Sequence, residues 1–326
     1  MTVSRTEMLA IASDTGFDAL MLEKVVRLIG LLNLLNTHPY LQGRWVLKGG
    51  TALNLFFVNL PRLSVDIDLN YVGALDREAM LIERPKVEEA LQAVFSRDGF
   101  NVRRVPTDHA GGKWTLGYQS FSGQPGNLEV DLNFMFRQPL WDPTSADSVP
   151  LGRYQASGIP VLNDHELAAG KLAALLARTQ ARDLFDCRSI AQSLKLDPKL
   201  LRIAFVAYGG MNRKDWREVS VTDLGFDADN LSAKLIPTLH GSAVPAGVAA
   251  SVYGQELIDE CTAYLGSVLP LQEAELAFLD ALLNEGRIDA SLLTNEPELS
   301  QRIDTHPMLQ WKAFNIRKHK GLTTTR

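Results

Sequence analysis

Two aspartates early in the chain stand at a spacing that suits metal-dependent chemistry. Asp66 and Asp68 are separated by Ile67, in a segment where polar and apolar residues alternate. Such alternation predicts a β-strand, in which residues two apart point to the same side and lie roughly 6.6–6.8 Å apart. Two carboxylates this close repel each other unless a proton or a cation is shared between them. The pair therefore predicts a site for a divalent cation.

A glycine pair precedes the aspartates. Residues 45–47 predict a short buried strand, Gly49 and Gly50 interrupt it, and residues 51–57 predict a short helix. Glycines between a strand and a helix N-terminus let backbone N–H groups approach an anion closely, and the helix dipole favours negative charge there. Together with the aspartates, this loop suggests a divalent metal and a nucleotide.

Two motifs carry a resemblance to a known family. They are Lys48-Gly-Gly-Thr-Ala-Leu53 and Arg62-Leu-Ser-Val-Asp-Ile-Asp-Leu69. The combination resembles the AbiEii/AbiGii-type nucleotidyltransferase toxins of the DNA polymerase β-like superfamily. The spacer between the two motifs is long for that superfamily, and Thr51 replaces its usual serine, which keeps the hydroxyl. The resemblance implies an α+β fold, with a polymerase β-like nucleotidyltransferase core of mixed sheet flanked by helices and a C-terminal helical domain.

A second alternating strand is predicted over residues 128–136, with Glu129, Asp131 and Asn133 on one face. In polymerase β-like enzymes a third carboxylate comes from a neighbouring strand of the sheet. The resemblance assigns this role to Asp131, with Glu129 as second choice. The alternative is that both acids face solvent on an edge strand.

A lysine stands inside an apolar helix predicted over residues 167–178. The helix is nearly all Ala and Leu and is therefore expected to be buried, so Lys171 needs a partner. Arg178 lies seven positions on and shares the same helix face. Alternatively, Lys171 extends to a surface carboxylate.

Residues 179–186 follow with the pattern Arg-Asp-Leu-x-Asp, which the AbiEii-like family also shows. The resemblance implies that Lys171 contacts the nucleotide phosphates and that Asp183 completes the active site. Asp183 is also suited to cap the helix that begins there. Asp186, one turn on, is expected to pair with Arg182 or Lys171.

The resemblance thus implies a complete site. The catalytic residues are Asp66, Asp68, Asp131, Lys171 and Asp183. The metal, Mg²⁺ or Mn²⁺, is held by Asp66, Asp68 and Asp131. The NTP is bound by Gly49, Gly50, Thr51, Ser64, Lys171 and Arg178. The implied activity is transfer of NMP from NTP to an RNA acceptor such as tRNA, by a toxin that a cognate antitoxin controls. Transfer to a small molecule or a protein, and a non-catalytic nucleotide-binding regulatory module, are the alternatives.

Length and composition bound these hypotheses. The 326 residues predict a nucleotidyltransferase domain over residues 1–195 and a helical domain with a basic C-terminal tail over residues 196–326. A net charge of −5 gives no general support for nucleic-acid binding, which would need a local basic patch. Two cysteines without metal-ligand spacing, and the lack of a long apolar run, predict a cytoplasmic protein without a membrane segment.

The C-terminal tail supplies such a patch. Trp311 and Phe314 lie among basic residues, a combination that suits contact with nucleic-acid phosphates and bases. The basic residues are Lys312, Arg317, Lys318, Lys320 and Arg326. The sequence also predicts a docked final helix, with an apolar side formed by Leu309, Trp311, Phe314 and Ile316.

Three local predictions complete the chain. Helical residues 76–97 are expected to break or kink at Pro85. Strands over residues 101–106 and 113–120 are expected to join through a turn at Gly111-Gly112. Asn163 to Glu166 resembles a capping box that opens the following helix.

Overall fold

The structure is a computed structural model that describes residues 3–104, 111–240, 243 and 247–322. The chain forms two compact units, each built from more than one segment. The first comprises Met1–Arg137, Pro143–Leu162 and Ser232–Val248. The second comprises Gln138–Asp142, Asn163–Leu231 and Ala249–Arg326.

Seven strands in the described part of the first unit form one mixed sheet. The strands are β1 (Trp45–Lys48), β2 (Asp66–Tyr71), β3 (Asn101–Arg104), β4 (Gly111–Gln119), β5 (Pro125–Asn133), β6 (Thr144–Ala146) and β7 (Ile159–Val161). Their order across the sheet is β3-β4-β5-β2-β1-β7-β6. β2 pairs with β5 and β1 with β7 in parallel, and the remaining neighbours are antiparallel. The predicted α+β class with a mixed sheet is confirmed.

The alternation in β2 and β5 gives the sheet one apolar and one polar face at its centre. Ile67 and Leu69 are fully buried, as is Val130, the partner of Ile67 on β5. Asp66 and Asp68 point to the other face and are half-buried. Because side chains alternate along each strand, burial of one face places the carboxylates together on the opposite face.

Four helices belong to the described part of the first unit: α1 (Arg5–Thr15), α2 (Ala19–Thr37), α3 (Gly49–Ala52) and α4 (Arg77–Arg97). The Asp18 side chain caps α2 by accepting the Met21 N–H, and α2 buries a broad leucine-rich face. A π-helical turn, Leu53–Phe57, continues α3. α4 runs through Pro85 without interruption, so the predicted break is wrong, and the alternative of a kink stays a prediction. Buried side chains on both sides of the proline offset its cost of about 3 kcal/mol.

The predicted turn at Gly111-Gly112 is also wrong. Both glycines lie inside β4, where Gly111 pairs with Asn133 and Gly112 with Leu132. Gly111 has a φ of +117°, and a side chain at that position would meet the Leu132 carbonyl oxygen. Glycine is therefore required here by close strand approach. Of the strand predicted over residues 101–106, the last two residues lie outside the described part of the chain.

The described part of the second unit is helical. Its helices are α5 (Asp164–Ala177), α6 (Ala181–Ser193), α7 (Pro198–Gly210), α8 (Ala228–Asn230), α9 (Ala250–Leu265), α10 (Glu273–Asp280), α11 (Pro297–Asp304) and α12 (Pro307–His319). This unit also has short 3₁₀ turns at Trp216–Glu218, Val221–Asp223 and Ala290–Leu292, and a π-helical turn at Ala281–Glu285. A π-helical turn at Leu231–Leu235 begins at its boundary, and the 3₁₀ turn at Ile236–Thr238 belongs to the first unit. α5 packs against α6 and α7, and α6 packs against α9. Hence α5 and α6 lie in the second unit, whereas the sequence division near residue 195 placed them with the first domain.

Two details of these helices differ from the sequence prediction. Asn163 caps α5 by accepting the His165 N–H, but Glu166 turns inward and does not complete a capping box. α12 buries Leu309 and Ala313. Trp311 and Phe314 are 51% and 47% exposed, so they do not dock the helix as predicted. Among the described helices, none combines the length and the apolar character needed to span a bilayer.

Candidate active site

The first unit places two of the predicted carboxylates side by side on one face of the sheet. Asp68 on β2 and Asp131 on β5 are direct partners in the parallel register, so their side chains project from the same sheet face. Asp66 stands two residues before Asp68 on that face, opposite Glu129. β5 lies between β2 and β4, so the alternative of an edge strand is wrong. The sequence periodicity therefore placed these acids on the correct face.

Lysines border the carboxylate pair on both sides. Lys48 on β1 is the register partner of Asp68, and Lys113 on β4 is the register partner of Asp131. One row across the sheet therefore reads Lys113, Asp131, Asp68, Lys48. The Lys48 ammonium also lies 5.5 Å from the centre of the Phe136 ring, a cation–π contact. Two positive charges thus offset two negative charges within a single row.

The contacts of Glu129 distinguish it from Asp131, the other candidate for the third carboxylate. Lys113 Nζ lies 2.7 Å from Glu129 Oε2, and this hydrogen bond is the main reason that the pKa of Lys113 is raised. Glu129 is therefore already engaged with a lysine, whereas Asp131 stands directly beside Asp68. This arrangement favours Asp131 as the partner of Asp68.

Burial raises the pKa of Asp131 above its ordinary value, and the negative charge of Asp68 raises it further. The positive charges of Lys48 and Lys113 act in the opposite direction. Desolvation and a like charge both disfavour ionisation of a carboxyl group. A proton or a cation between Asp68 and Asp131 would relieve this repulsion.

The glycine loop is fitted closely against Asp68. Gly49 has a φ of +75°, and a β-carbon at that position would collide with the Asp68 carboxylate. The Thr51 side chain is fully buried, and its hydroxyl donates a 2.5 Å hydrogen bond to the Asp66 carbonyl oxygen. Thr51 thus connects the loop to the aspartate strand, while the first-turn N–H groups at Gly49 and Gly50 have no acceptor within the helix.

Ser64 lies just before β2 begins, rather than on the strand as expected. Its side chain is buried. The predicted contact of Ser64 with a phosphate stays a prediction.

The second unit gathers the other predicted residues into a buried ion cluster. Lys171 Nζ lies 2.7 Å from Asp186 Oδ2 and 3.9 Å from Asp183 Oδ1. The side chain of Asp186 is fully buried and that of Asp183 is 2% exposed. Lys171 therefore does not extend to a surface carboxylate, and the expected Lys171–Asp186 pair is confirmed.

Arg178 holds the second acid of this cluster. Its Nε lies 2.6 Å from Asp183 Oδ2, and its Nη2 lies 3.0 Å from Asp183 Oδ1. Such a two-point contact fixes the carboxylate geometry. Gln180, not Asp183, is the N-cap of α6. The guanidinium side chain is 59% exposed, so it faces solvent while it orients the buried acid.

Glu166 is a buried acid that sequence reasoning took for a helix cap. One carboxylate oxygen accepts the Tyr208 hydroxyl at 2.9 Å, and the other accepts the Leu140 N–H at 3.0 Å. Burial raises the pKa of Glu166 to about 7, and these two hydrogen bonds only partly oppose the shift. Glu166 thereby ties α5 to α7 and to the segment Gln138–Asp142.

The donor set allows a test of the predicted metal. Within the described residues, no group of three or more His, Cys, Asp or Glu side chains is arranged to hold a metal ion. Asp68 and Asp131 nevertheless form an adjacent carboxylate pair whose mutual repulsion a cation would relieve. Mg²⁺ is commonly bound through one or two carboxylates, with water and substrate phosphates completing the shell. The residues present therefore fit a metal that arrives with a nucleotide.

The predicted site residues fall into two groups. Those of the first unit are Gly49, Gly50, Thr51, Ser64, Asp66, Asp68 and Asp131, and those of the second are Lys171, Arg178 and Asp183. Sequence reasoning missed the roles of Lys48 and Lys113. Lys48 stands next to Gly49, which was a usable signal, whereas only the strand register shows that Lys113 lies beside Asp131.

Comparisons with known proteins agree with this architecture. A family model described as "Nucleotidyl transferase AbiEii toxin, Type IV TA system" matches residues 33–315. Comparison with curated protein sequences gives no significant match. Among solved structures, the chain is similar to MenT4, nucleotidyltransferase toxin Rv2826c from Mycobacterium tuberculosis H37Rv, with a TM-score of 0.58 and 19% identity. That match covers 93% of this chain and 98% of the other, and it shows a shared fold.

Proposed function

The chain belongs to the AbiEii family of nucleotidyltransferase toxins, and we propose that it transfers a nucleotide from NTP to an RNA acceptor such as tRNA, with Mg²⁺ or Mn²⁺. The observation that carries the metal requirement is the register pairing of Asp68 with Asp131. A cognate antitoxin as partner is part of the same proposal, since the family is described as a type IV toxin–antitoxin system.

The proposed reaction is displacement at the α-phosphorus of NTP. The acceptor hydroxyl oxygen forms a bond to that phosphorus, the bond to the bridging oxygen of the β-phosphate breaks, and pyrophosphate leaves. A divalent metal, when bound, supplies charge stabilisation at the phosphate oxygens. Asp66, Asp68 and Asp131 would hold it. Asp131, which stands beside Asp68 on the same sheet face, would help to ionise the acceptor hydroxyl by receiving its proton.

The remaining residues are assigned to nucleotide binding. Gly49 and Gly50 offer backbone N–H groups to phosphate, and Thr51 keeps their loop against β2. We assign the phosphate contact of the second unit to Lys171, with Arg178 as a further cation. Asp183 and Asp186 orient Lys171, because both acids lie within 4 Å of its ammonium.

An RNA acceptor is favoured over a small molecule by the C-terminal helix. The chain carries a net charge of −5, yet residues 305–322 contain no acid and four Lys or Arg residues. A local cationic surface on an acidic protein matches the charge pattern of a phosphate-rich polymer partner. A small acceptor needs no such surface.

Labelling tests the proposal directly. The protein is incubated with total RNA and each of four α-labelled NTPs, with Mg²⁺ or with EDTA. We expect label in RNA, with one preferred NTP, and loss of label with EDTA or in Asp68→Asn. Asp229→Asn, which alters an exposed aspartate on α8, is the matched control and should retain activity.

The alternatives give different results. Label in a small molecule or a protein would replace the RNA acceptor, and no label with any acceptor would indicate a nucleotide-binding regulatory module. Full activity of Asp68→Asn would contradict the assigned metal site.

A further inference from the structure

Only one region of the chain exposes phenylalanine or tryptophan to solvent. All 13 Phe and 5 Trp lie in the described residues, and 16 of these 18 are buried or half-buried. The two exposed ones, Trp311 and Phe314, stand three residues apart on α12. Exposed large aromatic side chains are uncommon outside binding surfaces, and their concentration on one helix indicates a specific surface.

The helix geometry adds a lysine to these rings. Positions i, i+3 and i+7 share one face of an α-helix, so Lys318 lies on the same face as Trp311 and Phe314. This face is opposite the buried Leu309 and Ala313. We define Trp311, Phe314 and Lys318 as the α12 face.

The other cations of α12 serve the fold. Lys312 Nζ donates to the Asn212 carbonyl at 2.7 Å, and Lys320 Nζ donates to the Asn284 carbonyl at 3.1 Å. Arg317 donates to the Gly286 carbonyl. The side-chain ammonium of Lys318, by contrast, makes no hydrogen bond or ion pair with any residue that the structure describes, and it is exposed.

Nearby acids do not cancel this charge. α12 packs on the turn Ala281–Glu285. Glu285 is ion-paired with Arg287 at 3.0 Å, and Asp280 is ion-paired with Arg217 at 2.7 Å. The α12 face therefore presents two aromatic rings and one available positive charge.

Resting on the RNA acceptor of the proposed function, we infer that the α12 face binds a single-stranded segment of that RNA. Bases stack on Trp311 and Phe314, and Lys318 contacts a phosphate. Stacking on aromatic side chains combined with a cationic contact is the usual mode of single-strand binding. A protein partner would instead be expected to cover a larger apolar area.

The test measures binding without the transfer reaction. Polarisation of a fluorescently labelled single-stranded RNA gives the Kd at several KCl concentrations. W311A/F314A should raise the Kd at least about tenfold, as expected when base stacking is lost. Trp311→Phe keeps an aromatic ring and should change the Kd far less.

Lys318→Ala should weaken binding and lower the slope of log Kd against log salt by about 0.7, the value for one phosphate contact on a single strand. Lys199→Ala, at an exposed lysine on α7, is the matched control and should keep the wild-type slope. Thermal unfolding verifies that each variant is folded.

Intrinsic fluorescence gives a readout that needs no destabilising change. Trp311 is the exposed tryptophan, so bound RNA should quench emission in the wild type and should quench far less in Trp311→Phe. This measurement remains available if W311A/F314A does not fold.

The outcomes separate this inference from the proposed function. If the wild type binds and labels RNA but W311A/F314A and Lys318→Ala bind it equally well, the α12 face is not the RNA surface and the proposed function stands. If these variants keep their RNA affinity but no longer bind the purified cognate antitoxin, the α12 face binds protein. If the wild type neither binds nor labels RNA, both proposals are wrong.

Discussion

Gly49→Ala tests the close fit between the glycine loop and Asp68. Gly49 has a φ of +75°, and an added β-carbon would collide with the Asp68 carboxylate. The left-handed backbone costs a residue other than glycine roughly 1–2 kcal/mol. Overpacking against the carboxylate adds about 1–3 kcal/mol. We therefore expect Gly49→Ala to lower the free energy of unfolding by about 2–5 kcal/mol.

Gly43→Ala supplies the matched control. Gly43 has a φ of +74°, and nothing lies within 4 Å of a β-carbon placed there. The same backbone strain is present without the collision, so its cost should be only about 1–2 kcal/mol. Denaturant unfolding of both variants isolates the contribution of Asp68, and transfer activity should fall in Gly49→Ala alone.

A third variant makes the comparison stricter. In an Asp68→Ala background the carboxylate is absent, so the additional cost of Gly49→Ala should shrink. Non-additivity above about 0.5 kcal/mol reports direct contact between the two positions. Equal costs for Gly49→Ala and Gly43→Ala, within that error, would refute the view that Asp68 packs against the loop.

Three further predictions concern Asp131, the buried Lys171 cluster and Glu166. The pKa of Asp131 is raised in the folded protein, so ionisation of this carboxyl destabilises the fold, and Asp131→Asn removes that cost. In melting curves recorded without metal, the variant should be more stable than the wild type at pH 7 but not near pH 3.5. Lys171→Ala leaves buried acids unpaired and should lower the free energy of unfolding by about 3–5 kcal/mol in chemical denaturation. Adding Asp186→Asn to the same chain should restore part of this loss. A loss below about 1 kcal/mol would exclude the buried pair. The pKa of Glu166 is raised to about 7, so protonated Glu166 contributes up to about 3 kcal/mol to the free energy of unfolding. This contribution is complete below pH 4.5 and is lost as pH rises through 7. Glu166→Gln should flatten this part of the curve of stability against pH.

Strand alternation made the carboxylate-bearing face of the sheet predictable. The period of two placed Asp66 and Asp68 opposite Ile67 and Leu69, and the structure confirms this because burial of one face fixes the other. The cost of a lysine in an apolar helix indicated a partner for Lys171, and of the two partners expected for Asp186, Arg182 and Lys171, the pair with Lys171 is observed. Both predictions rest on local sequence spacing, which determines side-chain direction within a single element.

Predictions that depended on distant partners were less successful. Gly111-Gly112 has the composition of a turn, yet both residues lie inside β4, and close approach to the Leu132 carbonyl explains Gly111. Lys113 becomes a neighbour of Asp131 only through register, which sequence spacing does not reveal. The apolar character of Trp311 suggested docking, whereas the narrow buried stripe of α12 needs only smaller side chains.

The position of β2 in the sheet has a consequence for the order of folding. Its antiparallel neighbour β1 is close in sequence, so Asp68 and Lys48 can pair early. Its parallel neighbour β5 follows only after α4 and two more strands, and pairings between distant segments form slowly because the intervening chain must first be ordered. During synthesis, a chain that ends before β5 would hold Asp68 without Asp131. The Asp68–Asp131 pair would therefore form only after the strand Pro125–Asn133 has been synthesised and has paired with β2.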